Sequence, residues 1–237
     1  MKTTNRSWLC SFAVVALILV ITGSCKKDEE ESGTITDSDN NVYTSITIGN
    51  QVWMVENLKT TKLSDGTPIQ NITGDITWYQ SFTPAYCWYG NEITYKSEYG
   101  ALYNWHAVNS GKLCPAGWHV PTNVEWAELV NYVGGVDVAG SKLKEVGIIH
   151  WRDTNEGATN EYGFTALPGG FRSIGLGDAG FFSIGYSGWY WTSTEMPNFE
   201  YEGYHAAYNW QMENYRPHCV ESTLWEIEGL SVRCLKN

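Results

Sequence analysis

The chain has 237 residues, of which 43% are hydrophobic and 14% aromatic, and its 26 acidic against 15 basic side chains give a formal net charge of −11. This acidic balance argues against a nucleic-acid-binding protein, which needs clustered Lys and Arg, and against attachment to an anionic membrane by charge alone. The length suits one domain with a sizeable core behind a short leader.

Residues 1–24 have the pattern of a secretory signal peptide. Lys2 and Arg6 form a positively charged start, Phe12–Ile21 is an apolar run too short to span a bilayer, and small residues follow it. Cys25 comes directly after these small residues, an order that resembles the lipobox of bacterial lipoproteins. The resemblance implies lipidation of Cys25 and anchoring in the outer membrane. The alternative is an ordinary cleaved signal peptide with Cys25 as a bystander.

Residues 25–36 are charged and polar without apolar periodicity, which predicts a disordered acidic tether. Lys27 followed by Asp28, Glu29 and Glu30 resembles the surface-export signal of Bacteroidota lipoproteins and implies an outward-facing position on the cell surface. A plain solvated spacer is the alternative, and it leaves the orientation open.

The first part of the domain, which we assign to residues 37–237, predicts β-structure. Asp37–Asn41 is a turn cluster whose acidic spacing matches the start of a calcium loop, but no Gly and distal Glu follow in register, which favours a turn. The strands Val42–Ile48 and Gln51–Leu58 flank the hairpin signal Gly49–Asn50. Residues 59–98 predict a long loop region with a short strand near Ala85–Tyr89.

Three segments then predict helices. Tyr99–Val108 carries an apolar stripe, and Asn123–Val133 follows a capping box of Thr122 and Glu125. A shorter helix is predicted at Val138–Val146. From residue 147 onward Gly, Ser, Thr and aromatic residues predict short strands and turns, so the fold class is α+β.

Seven sequence blocks occur in the order IGNQVWMVENL, YGALYNWHAV, LCPAGWHVPTNVEW, AGSKLKEVG, GATNEYGFTALPGGFR, WTSTE and LSVRC. Together they resemble the Fibrobacter succinogenes major paralogous domain (FISUMP), a family of undefined function common in lipoproteins of Bacteroidota. The resemblance implies a C-type-lectin-like fold, shared with formylglycine-generating enzymes, in which two helices pack on short twisted antiparallel sheets and the chain termini are close together. The long segment at residues 195–229 departs from the family pattern as a local elaboration. Calcium motifs of C-type lectins are absent, which puts calcium-dependent sugar binding in doubt.

Four cysteines remain after Cys10 and Cys25 are set aside, and an even count outside the cytoplasm predicts two disulfides with three connectivities open. The family resemblance implies the pair Cys114–Cys234, which leaves Cys87–Cys219.

The stretch CPAGWHVPTNVEW, from Cys114 to Trp126, holds a thiol, an imidazole and a carboxylate, the groups of nucleophilic and acid–base chemistry. Because Cys114 is expected in a disulfide and Glu125 in a helix cap, no catalytic residue is assigned and His119 is predicted to be structural. The histidines lack metal-ligand spacing, and no cofactor other than calcium is considered. The calcium candidates are the oxygen-bearing loop residues Asp153, Asn155, Asn160 and Glu161, but a turn whose side chains bond their own backbone is favoured.

Aromatic residues are the remaining functional signal, since exposed rings stack on sugars or anchor protein interfaces. Trp53, Trp118, Trp126 and Trp191 are predicted to fill the core, and the predicted ligand contacts are Tyr190, Tyr201, Tyr204, Tyr208 and Trp210. The predicted function is therefore non-catalytic binding of a carbohydrate or of a protein partner. The membrane is a further expected partner through the lipid, and no nucleic acid is expected to bind. The alternatives are a structural or adhesion module of the cell envelope and an oxidoreductase-like enzyme on the formylglycine-generating fold.

Overall fold

The computed structural model describes residue 1, residues 34–173 and residues 180–237. The predicted signal peptide after residue 1, Cys25 and all but the last three residues of the predicted tether lie outside the described residues. Within the described ranges, no helix has the length and apolarity needed to cross a membrane.

The fold is α+β, as predicted, and combines several small sheets with short helices. The helices are α1 (Asp75–Tyr79), α2 (Lys96–Tyr99), α3 (Trp105–Asn109), α4 (Asn123–Tyr132) and α5 (Val136–Leu143), and two 3-10 turns lie at Tyr89–Asn91 and Ile93–Tyr95. The strands are β1 (Ile35–Thr36), β2 (Val42–Tyr43), β3 (Ser45–Ile48), β4 (Gln51–Met54), β5 (Gln70–Asn71), β6 (Ala85–Cys87), β7 (Leu102–Tyr103), β8 (Trp118–His119), β9 (Phe171–Ser173), β10 (Gly180–Phe182), β11 (Ser187–Tyr201), β12 (Tyr204–Glu213), β13 (Cys219–Trp225) and β14 (Leu235–Lys236).

The two ends of the domain meet in one sheet with the strand order β3-β4-β14-β8. Strands β3 and β4 form the hairpin predicted from Gly49–Asn50. Gly49 has a φ of +63°, and a Cβ on it would lie 2.9 Å from the Tyr132 ring, so a larger residue would be strained in this turn. The last strand, β14, pairs Leu235 with Trp53 and with His119. The other sheets are antiparallel except for the parallel pair β5–β6, which departs from the all-antiparallel expectation.

The first strand, β1, lies at Ile35–Thr36, within the last residues of the segment predicted to be a tether. Ile35 is buried and pairs with Tyr43, so apolar burial brings this end of the predicted tether into the fold. The predicted turn follows it. The Asp37 carboxylate accepts hydrogen bonds from the backbone amides of Asp39 and Asn41, at 2.8 and 2.9 Å, and from the Tyr43 hydroxyl at 2.6 Å.

The predicted capping box is present at the start of α4. Thr122 Oγ1 accepts from the Glu125 amide at 3.2 Å, and a Glu125 carboxylate oxygen accepts from the Thr122 amide at 2.7 Å. The other two predicted helices have different bounds. Tyr99–Val108 contains strand β7 before α3, because the Asn104 side chain accepts from the Ala107 amide and starts the helix there. Helix α5 lies at residues 136–143 and not 138–146, because Lys144 is extended and bridges to Ala166.

The sheet β11-β12-β13 contains the segment predicted to be a local elaboration, and its long hairpin crosses between two large apolar clusters. Trp191 lies in the first cluster with Tyr43, Tyr103 and Trp105. Its strand neighbour Tyr190 lies in the second. The base of the hairpin is therefore covered on both faces, while its far end, around the turn at residues 202 and 203, extends beyond the core.

One of the two predicted disulfides is confirmed and the other is wrong. Cys114 is bonded to Cys234 across 120 residues of sequence. Cys87 and Cys219 are free and buried in different clusters, the first beside Trp78 and the second beside Met212. Burial raises the pKa of Cys87 to about 12 and also raises the pKa of Cys219, so both groups are neutral thiols packed as small apolar side chains.

Candidate functional site

The stretch from Cys114 to Trp126 is part of the scaffold. Cys114 has no free thiol. His119 Nε2 lies 3.1 Å from both Glu125 carboxylate oxygens, and its Nδ1 lies 2.7 Å from Asn237 Oδ1. Burial raises the pKa of Glu125, but the hydrogen bonds from Thr122 and His119 outweigh it and hold that pKa below its usual range. His119 thus joins the start of α4 to the end of the chain, which is a structural contact.

Two of the predicted ligand contacts are wrong because they lie in the core. Tyr190 is fully buried, packs 5.5 Å from Trp126 and donates its hydroxyl to the Leu167 carbonyl oxygen at 3.0 Å. Trp210 is 3% exposed and donates from Nε1 to Asn123 Oδ1 at 2.9 Å. Strand alternation predicts exposure only when one sheet face is in water, and here both faces are covered.

The other three predicted contacts divide between two places. Tyr208 is half-buried in the middle of β12, opposite Thr223 of β13. Tyr201 and Tyr204 pair with each other at the far end of the β11–β12 hairpin. There they join rings from two other parts of the chain that were not predicted from the sequence.

These rings form what we call the outer aromatic surface, made of Tyr79, Phe82, Phe199, Tyr201, Tyr204 and Trp225. Tyr79 is stacked on Tyr204, with ring centroids 5.3 Å apart, and Phe82 lies 5.9 Å from Tyr204. Trp225 meets Tyr204 edge-on at 5.4 Å and meets Tyr201 and Phe199 in the same way. The side chains of Tyr79, Phe82 and Tyr201 are 40%, 55% and 56% exposed, so contiguous aromatic area faces water.

The Tyr hydroxyls add polar groups to this surface. The hydrogen bond between the hydroxyls of Tyr79 and Tyr204 raises the pKa of Tyr204 to about 12, with burial and the nearby Tyr79 and Glu202 adding to the shift. The two stacked rings therefore hold each other in place, and the Tyr204 hydroxyl stays neutral over the physiological pH range. A surface that is ordered before a ligand arrives loses less entropy on binding.

Four ionisable side chains lie beside the outer aromatic surface, and we call them the polar floor: His106, Glu195, His205 and Glu226. His106 on α3 packs edge-on to Phe82 at 5.9 Å. The Glu226 carboxylate lies 4.0 Å from His106 Nδ1, and Glu195 lies 3.5 Å from His205 Nδ1. Burial and the nearby His205 lower the pKa of His106, whereas burial and Glu195 raise that of Glu226.

The calcium candidates have separate local contacts. The Asn155 amide donates to the carbonyl oxygens of Glu145 and Gly147, and the Asn160 amide group bonds Thr165. Glu161 lies 3.4 Å from Lys142, and Asp153 is exposed in a left-handed turn position. These contacts match the predicted turn. In residues 34–173 and 180–237, no group of three His, Cys, Asp or Glu side chains is arranged to hold a metal ion.

The sequence did not predict that Tyr79, Phe82, Trp225 and the polar floor lie at this site. The fragment TWYQSFTP carries aromatic residues inside a polar loop, which was the available signal for Tyr79 and Phe82. Nothing local in the sequence indicates that this loop meets a hairpin more than 100 residues later.

The family comparison agrees with the sequence blocks. The model of the Fibrobacter succinogenes major domain matches residues 46–236, most of the chain. No curated protein and no solved structure is similar enough to this chain to count as a match. The scaffold residues described above, including the capping box, Tyr190 and the Cys114–Cys234 disulfide, all fall inside the matched range. The chain belongs to the Fibrobacter succinogenes major domain family.

Proposed function

We propose that this protein is a lipid-anchored binding protein of the cell envelope that binds a glycan through the outer aromatic surface, without catalysis. The observation that carries the proposal is the set of contiguous, partly exposed rings at the far end of the β11–β12 hairpin. Tyr79, Phe82 and Tyr201 keep between 40% and 56% of their area exposed. Rings that only filled a core would be covered.

Sugar binding is supported by the combination of groups at this surface. An aromatic face takes the apolar C–H face of a sugar ring, while hydroxyls and carboxylates accept and donate hydrogen bonds to its edge. Tyr79 and Tyr204 supply both a ring and a hydroxyl, and Glu226 and Glu195 lie at the side of the rings. The β11–β12 hairpin holds the outer aromatic surface away from the core, so an extended glycan chain can reach it.

A non-catalytic role is supported by the state of the thiols. Enzyme chemistry of the formylglycine-generating type would need a reactive cysteine. Cys114 is bonded to Cys234, and burial keeps Cys87 and Cys219 as neutral thiols. A thiol of raised pKa is a poor nucleophile, because the thiolate is the reactive form.

The Trp225→Ala variant is expected to weaken binding to the glycan selected on an array by about tenfold or more, as for a central aromatic contact. Trp225 meets Tyr201 and Tyr204, so its loss removes one stacking face and loosens two others. Isothermal titration calorimetry measures the affinity.

Tyr215→Ala is the matched control, because Tyr215 is 59% exposed but lies on the loop after β12, outside the outer aromatic surface. Its affinity should equal that of the original protein. A glycan array that stays blank with and without calcium would reject glycan binding and favour a protein partner. Equal loss in both variants would show that the surface is not the site.

Anchoring through Cys25 is the second part of the proposal, supported by the apolar leader and the position of this cysteine after small residues. We expect Cys25→Ala to abolish metabolic labelling with a radioactive fatty acid and to release the protein from the outer-membrane fraction, since lipid chains on one residue give stable anchoring. Cys10→Ala, within the leader, is the control and should be labelled normally.

Protease treatment of whole cells tests the outward orientation. Cleavage of the domain only after lysis would place it on the periplasmic side.

A further inference from the structure

We infer that the glycan bound at the outer aromatic surface carries a free amino group, which the Glu226 carboxylate holds at the edge of the rings. The inference rests on the proposed glycan binding and specifies its chemical class. An amine-bearing sugar offers an ammonium group to a carboxylate and a C–H face to the rings. Acidic sugars, such as uronic acids, would meet like charge at the same place.

Glu226 has a largely buried side chain whose carboxylate reaches solvent and makes no hydrogen bond to the described part of the protein. Its side chain is 9% exposed. Its backbone is well tied, since its amide donates to the His205 carbonyl oxygen and its own carbonyl oxygen accepts from the Trp105 amide. Among the described residues, the closest approach of a cationic side chain to its carboxylate is His106 Nδ1 at 4.0 Å, beyond hydrogen-bond distance. A carboxylate held in this way can accept a charge-assisted hydrogen bond from a donor that arrives from solvent.

The side chains around Glu226 do not supply a positive charge that pairs closely with its carboxylate. Burial and the nearby His205 lower the pKa of His106, so its imidazole is neutral at neutral pH, and its Nε2 also lacks a partner in the described part of the chain. Glu195 adds negative charge from the neighbouring strand β11 and lies beside His205. The site therefore places two carboxylates beside a neutral imidazole, an arrangement that complements an ammonium group.

The protein's own cations bind elsewhere. Within the described ranges, every Lys or Arg that lies over an aromatic ring does so at a ring outside the outer aromatic surface. Among the described residues, Glu195 and Glu226 form ion pairs only with histidines. No cation of the described part of the protein therefore competes for the rings of the outer aromatic surface, and rings attract a ligand cation within about 6 Å.

The test compares three oligosaccharides of equal length on the full chain at pH 6.5. One is built of glucosamine, one of N-acetylglucosamine and one of galacturonic acid. We expect the glucosamine oligomer to bind about tenfold more tightly than its acetylated form, the ratio for one charge-assisted hydrogen bond, and the galacturonic acid oligomer not to bind. Raising the salt concentration should reduce the preference, because it screens the ion pair.

The Glu226→Gln variant separates this inference from the proposed function. It keeps the shape of the side chain, and it should remove the preference for the free amine while binding of the acetylated oligomer stays. Glu92→Gln is the control of equal charge change, since Glu92 is exposed at a 3-10 turn away from the polar floor. It should leave the preference intact. Equal affinity of the original protein for the free and acetylated oligomers, or failure of all three to bind while the array shows another glycan, would overturn the inference alone. Failure of all three together with a blank array would overturn both proposals.

Discussion

Replacing both Cys114 and Cys234 with serine is expected to lower the free energy of unfolding by about 4 to 5 kcal/mol, through the entropy that the unfolded chain regains. The bond closes a loop with a sequence separation of 120 residues. It joins the segment after α3 to the residue directly before β14, the strand that pairs with both β4 and β8, so its loss frees the C-terminal strand from the middle of the chain. Guanidinium denaturation followed by tryptophan fluorescence measures the change.

The matched control is Cys87→Ala with Cys219→Ala, which removes the same number of sulfur atoms without removing a bond. Each buried thiol is replaced by a slightly smaller apolar side chain, at a cost of about 1 kcal/mol. Peptide mapping after alkylation should find Cys87 and Cys219 modified only in the unfolded protein and Cys114 and Cys234 only after reduction. Equal losses in the two double variants would mean that the disulfide contributes no more than packing.

The Arg233→Met variant is expected to lose about 3 kcal/mol of unfolding free energy, because it leaves buried acceptors without a donor. Arg233 is fully buried, and its guanidinium donates to the carbonyl oxygens of Phe164 and Thr165 and to Asn57 Oδ1. It also lies over the Phe164 ring, 4.2 Å from the centroid. Methionine fills much of the volume but offers no hydrogen bond. Thermal and denaturant unfolding measure the loss.

Arg216→Met is the control for Arg233, because Arg216 is partly exposed and paired with Glu213 at the surface. Its loss should stay within about 1 kcal/mol, as for surface ion pairs. If Arg233→Met does not fold, Arg233→Lys keeps a cation that can reach part of the acceptor set and should fold with reduced stability. An Arg233→Met protein as stable as the original would show that the three acceptors do not depend on the guanidinium.

Features that depend on neighbours in the chain were predictable from the sequence. The Thr122–Glu125 capping box, the Asp37 turn and the hairpin at Gly49 each involve residues within a few positions of one another, and short-range hydrogen bonds or steric limits decide them. The Cys114–Cys234 bond came from the family resemblance, since cysteine spacing left three connectivities open. The lectin-like architecture that the same resemblance implies stays a prediction beside the confirmed α+β class.

Features that depend on which surfaces meet were not predictable. The predicted Cys87–Cys219 bond failed because the fold places the two thiols in separate clusters. Tyr190 and Trp210 were assigned to the surface because a strand in an elaborated segment was assumed to face water on one side. The second apolar cluster covers that side with Trp126 and its neighbours, and neither strand pattern nor composition reveals what packs against a sheet.

The sequence by itself determined the class of fold, the family, the capping box beside His119 and the presence of aromatic residues in the segment at residues 195–229. Only the tertiary structure decided which aromatic residues are exposed, because it brings Tyr79 and Phe82 from a loop against Tyr204 and Trp225 from distant strands. It also placed the unpartnered Glu226 carboxylate beside them. Local rules fix short-range geometry, whereas exposure and charge pairing are set by contacts between residues far apart in the chain.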